Sequence, residues 1–278
     1  MKNFPTIWRL IDTGPLSGPE NMAIDEALLR SFDPVSSAPV LRLYGWTPSA
    51  LSLGRFQKAG EVLDLARCTV ENIPVVRRIT GGGVIYHADE LTYSLVCSPH
   101  HIPPAASIKD SFRVLTAFLL AMYRRLGLSA GYAVDRVEYP AKLGERTPFC
   151  FAGRETFDIL VNGKKIGGNA QRRLKNVIFQ HGSIPLADRS LDGLNFMVEQ
   201  PENFAGSVTS LASEGVALPP EQVRVTLVKG WLETGSPHLV PDVLMVREQA
   251  ETERLLVEKY LNPAWNLEGR EDEDRTQA

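Results

Sequence analysis

Hydrophobic residues recur along this chain with two periods. Strand-like alternation marks residues 8–11, 40–44, 50–53 and 91–97, the last read as half-buried, and a short apolar run marks 73–76. Helical spacing marks 21–32 (NMAIDEALLRSF), with Asn21 placed to cap it, a short helix over 61–67, and a long helix over 107–126 that Gly127 would stop. Residues 157–161 run into Asn162-Gly163, a strong hairpin signal; a return strand then begins over 164–168, and a further strand covers 177–181. Two more helices are expected over 220–233 and 243–260, while prolines and glycines make 134–153 irregular. From 268 the chain is charged and carries no apolar residue before its last alanine, which predicts disorder. Strands mixed with helices, without an internal repeat, predict an α/β (or α+β) fold around one main sheet.

Composition adds mainly exclusions. A length of 278 residues suits one large domain or two small ones. A net charge of -3 gives no reason to expect nucleic acid as a partner. No apolar run reaches membrane-spanning length and the N-terminus resembles no signal peptide, so a cytoplasmic location is expected. Three cysteines, Cys68, Cys97 and Cys150, are too few and too unevenly spaced for a disulfide framework or a zinc site, so no metal is expected. A reactive thiol among them stays open.

The densest candidate chemistry lies in RRITGGGVIYH, residues 77–87. Arg77 and Arg78 end an apolar strand, and Gly81, Gly82 and Gly83 turn the chain before the next one. Glycines permit positive φ and let a ligand lie against bare N–H groups, while paired arginines supply donors to an anionic or carbonyl-rich ligand. A plain turn with solvated arginines is the competing reading, but three glycines exceed what a hairpin needs. His87 fits a ligand contact and a satisfied strand histidine equally well. Cys150, in TPFCFAGR within the irregular stretch, is the cysteine least suited to a purely structural role, although its two phenylalanine neighbours also suit a buried thiol. Cys97 ends an apolar strand and Cys68 a short helix, as buried thiols do. In GKKIGGNAQ, Lys165 could reach a cleft cleared by Gly167 and Gly168, with Lys164 on the opposite face; two solvated edge lysines are the alternative. His181 and Gly182 could place donors near the same cleft.

Taken together, RRITGGGVIYH, GKKIGGNAQ and QHGSIPL, in this order and spacing, resemble the superfamily of lipoate–protein ligases, biotin ligases and octanoyltransferases, over residues 8–265. That resemblance implies one catalytic domain over 1–265, a mixed β-sheet flanked by helices as in the lipoate and biotin ligase catalytic domains, and a charged tail over 266–278. Within the superfamily the chain is most similar to the ligase-like octanoyltransferases, which move octanoyl from acyl carrier protein to a protein lysine. Three features support this: Glu90-Leu91-Thr92-Tyr93-Ser94 where ligases have an asparagine-rich strand, a cysteine on the loop before the lysine hairpin, and no accessory domain after the core. Two departures, Asn169 where serine is common and glycine at position 167, touch the shape of an acyl pocket.

The resemblance implies Cys150 as the acyl-thioester nucleophile and Lys165 as the cation that lowers its pKa and assists the oxyanion. Arg77, Arg78, Gly81, Gly82, Gly83, His87, Gly168, His181 and Gly182 would bound the pocket. It also implies no cofactor, octanoyl-acyl carrier protein as donor, and as acceptor a lipoyl-domain protein such as the glycine cleavage H protein or a 2-oxoacid dehydrogenase subunit. Acyl carrier proteins are acidic, so a basic docking face is expected, with Arg172, Arg173 and Lys175 as candidates or as an ordinary solvated turn. Rival readings are an ATP-dependent lipoate ligase without its accessory domain, an octanoyl amidotransferase between lipoyl proteins, and a non-catalytic module that holds acyl carriers or lipoyl domains.

Overall fold

Alternation between apolar and polar residues on three neighbouring strands organises the molecule. The computed structural model describes residues 7–105, 107–135, 156–200, 204–234 and 238–271. β1 (Ile7–Leu16) leads through α1 (Gly18–Arg30) to β2 (Val40–Trp46) and β3 (Ala50–Leu53). Two short helices, α2 (Ala59–Val62) and α3 (Leu65–Val70), precede β4 (Val75–Arg77), β5 (Ile85–His87) and β6 (Glu90–Cys97). The long α4 (Ile108–Arg125) is followed by β7 (Ala130–Tyr132), then β8 (Ile159–Val161), β9 (Lys164–Lys165), β10 (Asn169–Leu174) and β11 (Val177–Pro185). α5 (Ser190–Leu194), α6 (Pro220–Glu233), β12 (His238–Asp242) and α7 (Val246–Leu255) complete the order.

The main sheet runs β10-β11-β6-β2-β1-β12, with β1 parallel to both neighbours and the remaining pairs antiparallel. One face carries Leu41, Leu43, Leu91, Tyr93, Leu95 and Ile178 against α4 and α6. The other carries Val40, Val96 and Phe179 against α1 and α7. Two three-stranded sheets, β4-β3-β5 and β7-β8-β9, flank it. The mixed sheet flanked by helices matches the sequence expectation. No helix among the described residues is long and apolar enough to cross a membrane.

Several boundaries differ from expectation for identifiable reasons. The first helix starts at Gly18 because Ser17 and Glu20 form a capping box, leaving Asn21 inside the helix. The expected 61–67 helix is split, and Asp64 caps the second piece by accepting from the Arg67 N–H. β6 is buried on both faces rather than half-buried, because β2 and β11 flank it and helices cover both sides. Only Lys164 and Lys165 pair in the return strand; Asn169 onward joins the main sheet instead. The last helix gives way to a π-helical turn at Leu256–Tyr260. Residues 266–271, expected as the start of a disordered tail, are ordered: Asn266 is buried and accepts from the Arg77 N–H, and Glu271 pairs with Lys259 at 2.9 Å.

Candidate active site

The same alternation that sends leucines to one face of the main sheet sends polar residues to the other. Register places Arg42, Ser94 and His181 in one row across β2, β6 and β11, and Tyr44, Thr92 and Ser183 in the next. The α1 helix lies over them and contributes a buried carboxylate, Asp25. Arg42 Nη1 (2.8 Å), the Tyr44 hydroxyl (2.9 Å) and the Ser94 hydroxyl (2.8 Å) all donate to it, and His181 Nδ1 stands 3.6 Å away. Burial pushes the Asp25 pKa up, but the Arg42 charge and the His181 and Ser94 hydrogen bonds outweigh it, and the carboxyl ends below its ordinary value. Burial, helped by the Arg78 charge, pulls His181 down against the attraction of Asp25, so its imidazole is neutral at pH 7.

A second carboxylate anchors the next row. Glu90 accepts from His87 Nδ1 at 2.8 Å, from Thr92 at 2.6 Å and from Ser183 at 2.6 Å. Burial opposes its ionisation, while the His87 charge and these three donors lower its pKa. A carboxylate only accepts, so the proton between them belongs to His87 Nδ1, while Nε2 meets the Ser52 hydroxyl at 2.7 Å. Arg78 Nη1 donates in turn to Ser52 Oγ at 3.1 Å, completing an Arg78–Ser52–His87–Glu90 chain. The Trp46 ring stacks on His87 at 3.7 Å, and its indole N–H donates to Thr92 at 2.8 Å. Both faces of the His87 interaction, ring and nitrogens, are therefore fixed.

These side chains surround a narrow crevice with about 20 Å³ of room inside, opening to a mouth that brings the empty space to about 370 Å³. Met22, Tyr44, Trp46 and Ile85 make its apolar wall; Ser52, Arg78, His87, His181 and Asn169 gather as its polar part. Arg78 Nη2 also grips the carbonyls of Gly81 (2.9 Å) and Gly83 (2.7 Å), which fixes the glycine loop beside the crevice. Gly82 there has φ +99°, and its carbonyl lies where a Cβ on Gly54 would come within 2.0 Å. Gly168 and Gly182 complete the lining. At Gly182 a Cβ would come within 2.3 Å of Asn169 Oδ1 and 2.6 Å of the Tyr93 ring.

The fold thus brings together Arg78, His87, Gly168, His181 and Gly182 at one crevice, with the glycine loop at its side. Arg77 is separated from them. Successive strand residues face opposite ways, and its guanidinium donates to the carbonyls of Gly54, Arg55, Gln57, Trp265 and Leu267. Lys165 is 1% exposed, with Nζ 2.7 Å from Asp158 Oδ2, so it is no solvated edge lysine; Lys164 on the opposite face is exposed. Cys150 lies outside the described residues. Cys68 and Cys97 are buried, and burial raises both thiols, Cys97 to about 12, which removes them as thiolate nucleophiles. Asp25, Ser52 and Trp46 were not anticipated. A charged pair inside the apolar helix NMAIDEALL was a signal for Asp25; nothing local marked Ser52 or Trp46.

Among the described residues no cluster of histidine, cysteine and carboxylate side chains could hold a metal ion. The model of the lipoyl protein ligase A/B catalytic domain matches residues 17–231. Octanoyltransferase LipM of Halalkalibacterium halodurans is 34% identical over 94% of this chain and 98% of its own length. The octanoyltransferase LipM of Bacillus subtilis is 34% identical, covering 93% and 97%, and that of Exiguobacterium sp. is 36% identical, covering 94% and 98%. Among solved structures, a lipoate-protein ligase A bound with ATP superposes with a TM-score of 0.78 at 27% identity, covering 94% of this chain and 98% of that one. A putative lipoate protein ligase of T. acidophilum with bound lipoic acid gives 0.76 at 27% identity, covering 94% and 99%. Matched over most of its length by that domain, and nearly end to end by octanoyltransferases, the chain belongs to the lipoyl protein ligase A/B catalytic domain family.

Proposed function

We propose that this protein transfers octanoyl from octanoyl-acyl carrier protein to a lysine of a lipoyl-domain protein, such as the glycine cleavage H protein or a 2-oxoacid dehydrogenase subunit, through a thioester on Cys150. The observation that carries the reading is kinship: octanoyltransferases match at 34–36% identity over nearly the whole chain, while the ATP-bound ligase matches at 27%. A solved relative, described as a bi-partite lipoate protein ligase with its E2 lipoyl domain, acts alongside the class of acceptor proposed here.

In the first step the Cys150 thiolate attacks the thioester carbonyl, the carrier's C–S bond breaks, and the carrier thiol takes up a proton. In the second step the neutral ε-amine of the acceptor lysine attacks the acyl-enzyme. The Cys150 C–S bond breaks, an amide forms, and the amine proton ends on the regenerated thiol. Thioester exchange is nearly balanced and amide formation from a thioester is downhill, so no nucleotide is needed. Lys165, as an ammonium, would favour the thiolate and assist the oxyanion, a contribution of about 3–4 kcal/mol at comparable donors. The apolar wall of Met22, Tyr44 and Trp46 suits an octanoyl chain, and the Arg78, His87 and Asn169 end suits its carbonyl.

An acyl-transfer assay on a lipoyl domain tests the reading. Octanoyl-acyl carrier protein should support octanoylation without ATP, and free lipoate with ATP and magnesium should not support lipoylation. Labelling only in the second condition would instead make the chain a ligase. Labelling only when an octanoylated lipoyl protein is the donor would make it an amidotransferase.

A further inference from the structure

The loop between β3 and α2, residues 54–58, is held far more firmly than a surface connection requires. The Gly54 N–H donates to Gln57 Oε1 (2.9 Å), the Gln57 N–H to the Gly54 carbonyl (3.0 Å), and the Arg55 N–H to the Thr80 carbonyl (2.8 Å). From below, Arg77 Nη1 reaches the carbonyls of Gly54, Arg55 and Gln57 at 3.0, 3.0 and 2.6 Å. At the tip stands Phe56, 84% exposed and the only aromatic among the large exposed apolar side chains of the described residues. A rigidly presented aromatic side chain suits a binding anchor, because little entropy is lost when a partner covers it.

Cations flank this loop. The Arg55 guanidinium lies 5.9 Å from the Phe56 ring, and Lys58 is exposed. Arg172 Nη1 donates to the Ile79 carbonyl at 3.2 Å, beside Thr80 and the glycine loop. Burial and the nearby Arg55 charge both depress the Arg172 pKa, as expected for two guanidinium groups brought together. The opposing carboxylates are Glu61, on Lys58 at 2.8 Å, Glu271, on Arg55 at 3.3 Å, and Glu26, whose charge together with that of Glu271 acts on Arg172. The exposed Lys58–Glu61 pair contributes little, so exchanging it for a partner's anion costs little. The loop adjoins the crevice directly, since Gly54 packs on Gly82 and Arg78 follows Arg77 in the chain.

We propose that the 54–58 loop with Arg172 is the docking surface for the acidic acyl carrier that delivers the octanoyl thioester, with Phe56 as its apolar anchor. This rests on the octanoyltransferase reading. Charge complementarity points to the donor. A carrier brings an acidic surface and a phosphodiester at the root of its thioester arm, which guanidinium groups bind well.

The test compares two donors, octanoyl-acyl carrier protein and octanoyl-pantetheine, which has neither carrier protein nor phosphate. Acyl-enzyme formation is followed in wild type, Phe56→Ala and Lys58→Glu. With the carrier, each variant should raise KM about tenfold, the scale of a moderate hot spot. With octanoyl-pantetheine, and in transfer from preformed acyl-enzyme to a lipoyl domain, both should match wild type. Salt should raise the wild-type KM for the carrier and raise it less in Lys58→Glu. An unchanged KM for the carrier, an equal loss with both donors, or a loss confined to transfer onto the lipoyl domain would overturn the proposal. Wild type that is acylated by neither donor would instead overturn the octanoyltransferase reading itself.

Discussion

At the scale of single residues, the decisive feature is the set of polar side chains buried between α1 and the main sheet. Arg42 is fully buried and its charge is balanced by Asp25, whose Oδ1 also accepts from Ser94 and whose Oδ2 accepts from Tyr44. Asp25→Asn keeps the shape and removes the charge, leaving Arg42 uncompensated; removing one member of a buried pair costs about 3–5 kcal/mol. Urea denaturation should register that loss, and an unchanged midpoint would mean water, not Asp25, compensates Arg42. Glu90→Gln should be milder. Its amide keeps one acceptor but turns an NH₂ toward the donors, so roughly 1–3 kcal/mol should be lost. His87 would also lose the partner that fixes its Nδ1 proton, so octanoyl transfer should fall even at temperatures where the variant stays folded; full activity would place His87 outside the reaction.

Adjacent arginines show what sequence conveys at this scale. Arg77 and Arg78 read alike as ligand donors, yet strand alternation gives them opposite tasks. Arg78 lines the crevice, whereas Arg77 is covered by carbonyls from two distant segments. Its partners at 265 and 267 lie about 190 residues away, a separation that no local pattern reveals.

At the scale of elements, periodicity was most informative where one strong local signal acted alone. Asn162 and Gly163 both take positive φ, as the hairpin signal required, and α6 spans the residues expected of it. β12 went unread because it is short, mostly exposed and paired only at the edge with β1. Ser94 and Thr92 looked like the wet face of a strand, and became site residues because helices cover that face. Close packing supplies a further prediction. α4 and α6 approach at Gly230, where a Cβ would come within 2.7 Å of the Met122 nitrogen and 2.8 Å of the Phe118 carbonyl. Gly230→Ala should therefore force the helices apart and cost about 1–3 kcal/mol in thermal or urea unfolding. A variant as stable as wild type would mean the helices can slide without loss.

At the scale of the whole molecule, buried titrating groups set the response to acid. His181 has a folded pKa below its ordinary 6.5, so the unfolded chain binds that proton first and stability declines as pH falls below about 6.5. Asp25, Glu26 and Glu90 are depressed from 3.8, 4.5 and 4.5, so their contribution is present above those values and is lost as pH falls through the lower folded ones. Denaturation midpoints should thus drop modestly between pH 7 and 5 and steeply below about 4. A flat profile to pH 3 would contradict the buried network. The C-terminal segment belongs to this whole as well: Lys259 joins Glu26 on α1 to Glu271, and Trp265 covers Arg77. The family was legible in three short motifs, whereas this closure ends on Glu271, which composition alone made look like part of a tail.

Cys150 is the centre of the proposed chemistry, and intact-protein mass tests it most directly. Wild-type protein mixed with octanoyl-acyl carrier protein, without ATP, should gain a single octanoyl group that hydroxylamine removes, and Cys150→Ala should gain none. An adduct that persists in Cys150→Ala, or no adduct in wild type while ATP and free lipoate label a lipoyl domain, would contradict the thioester route.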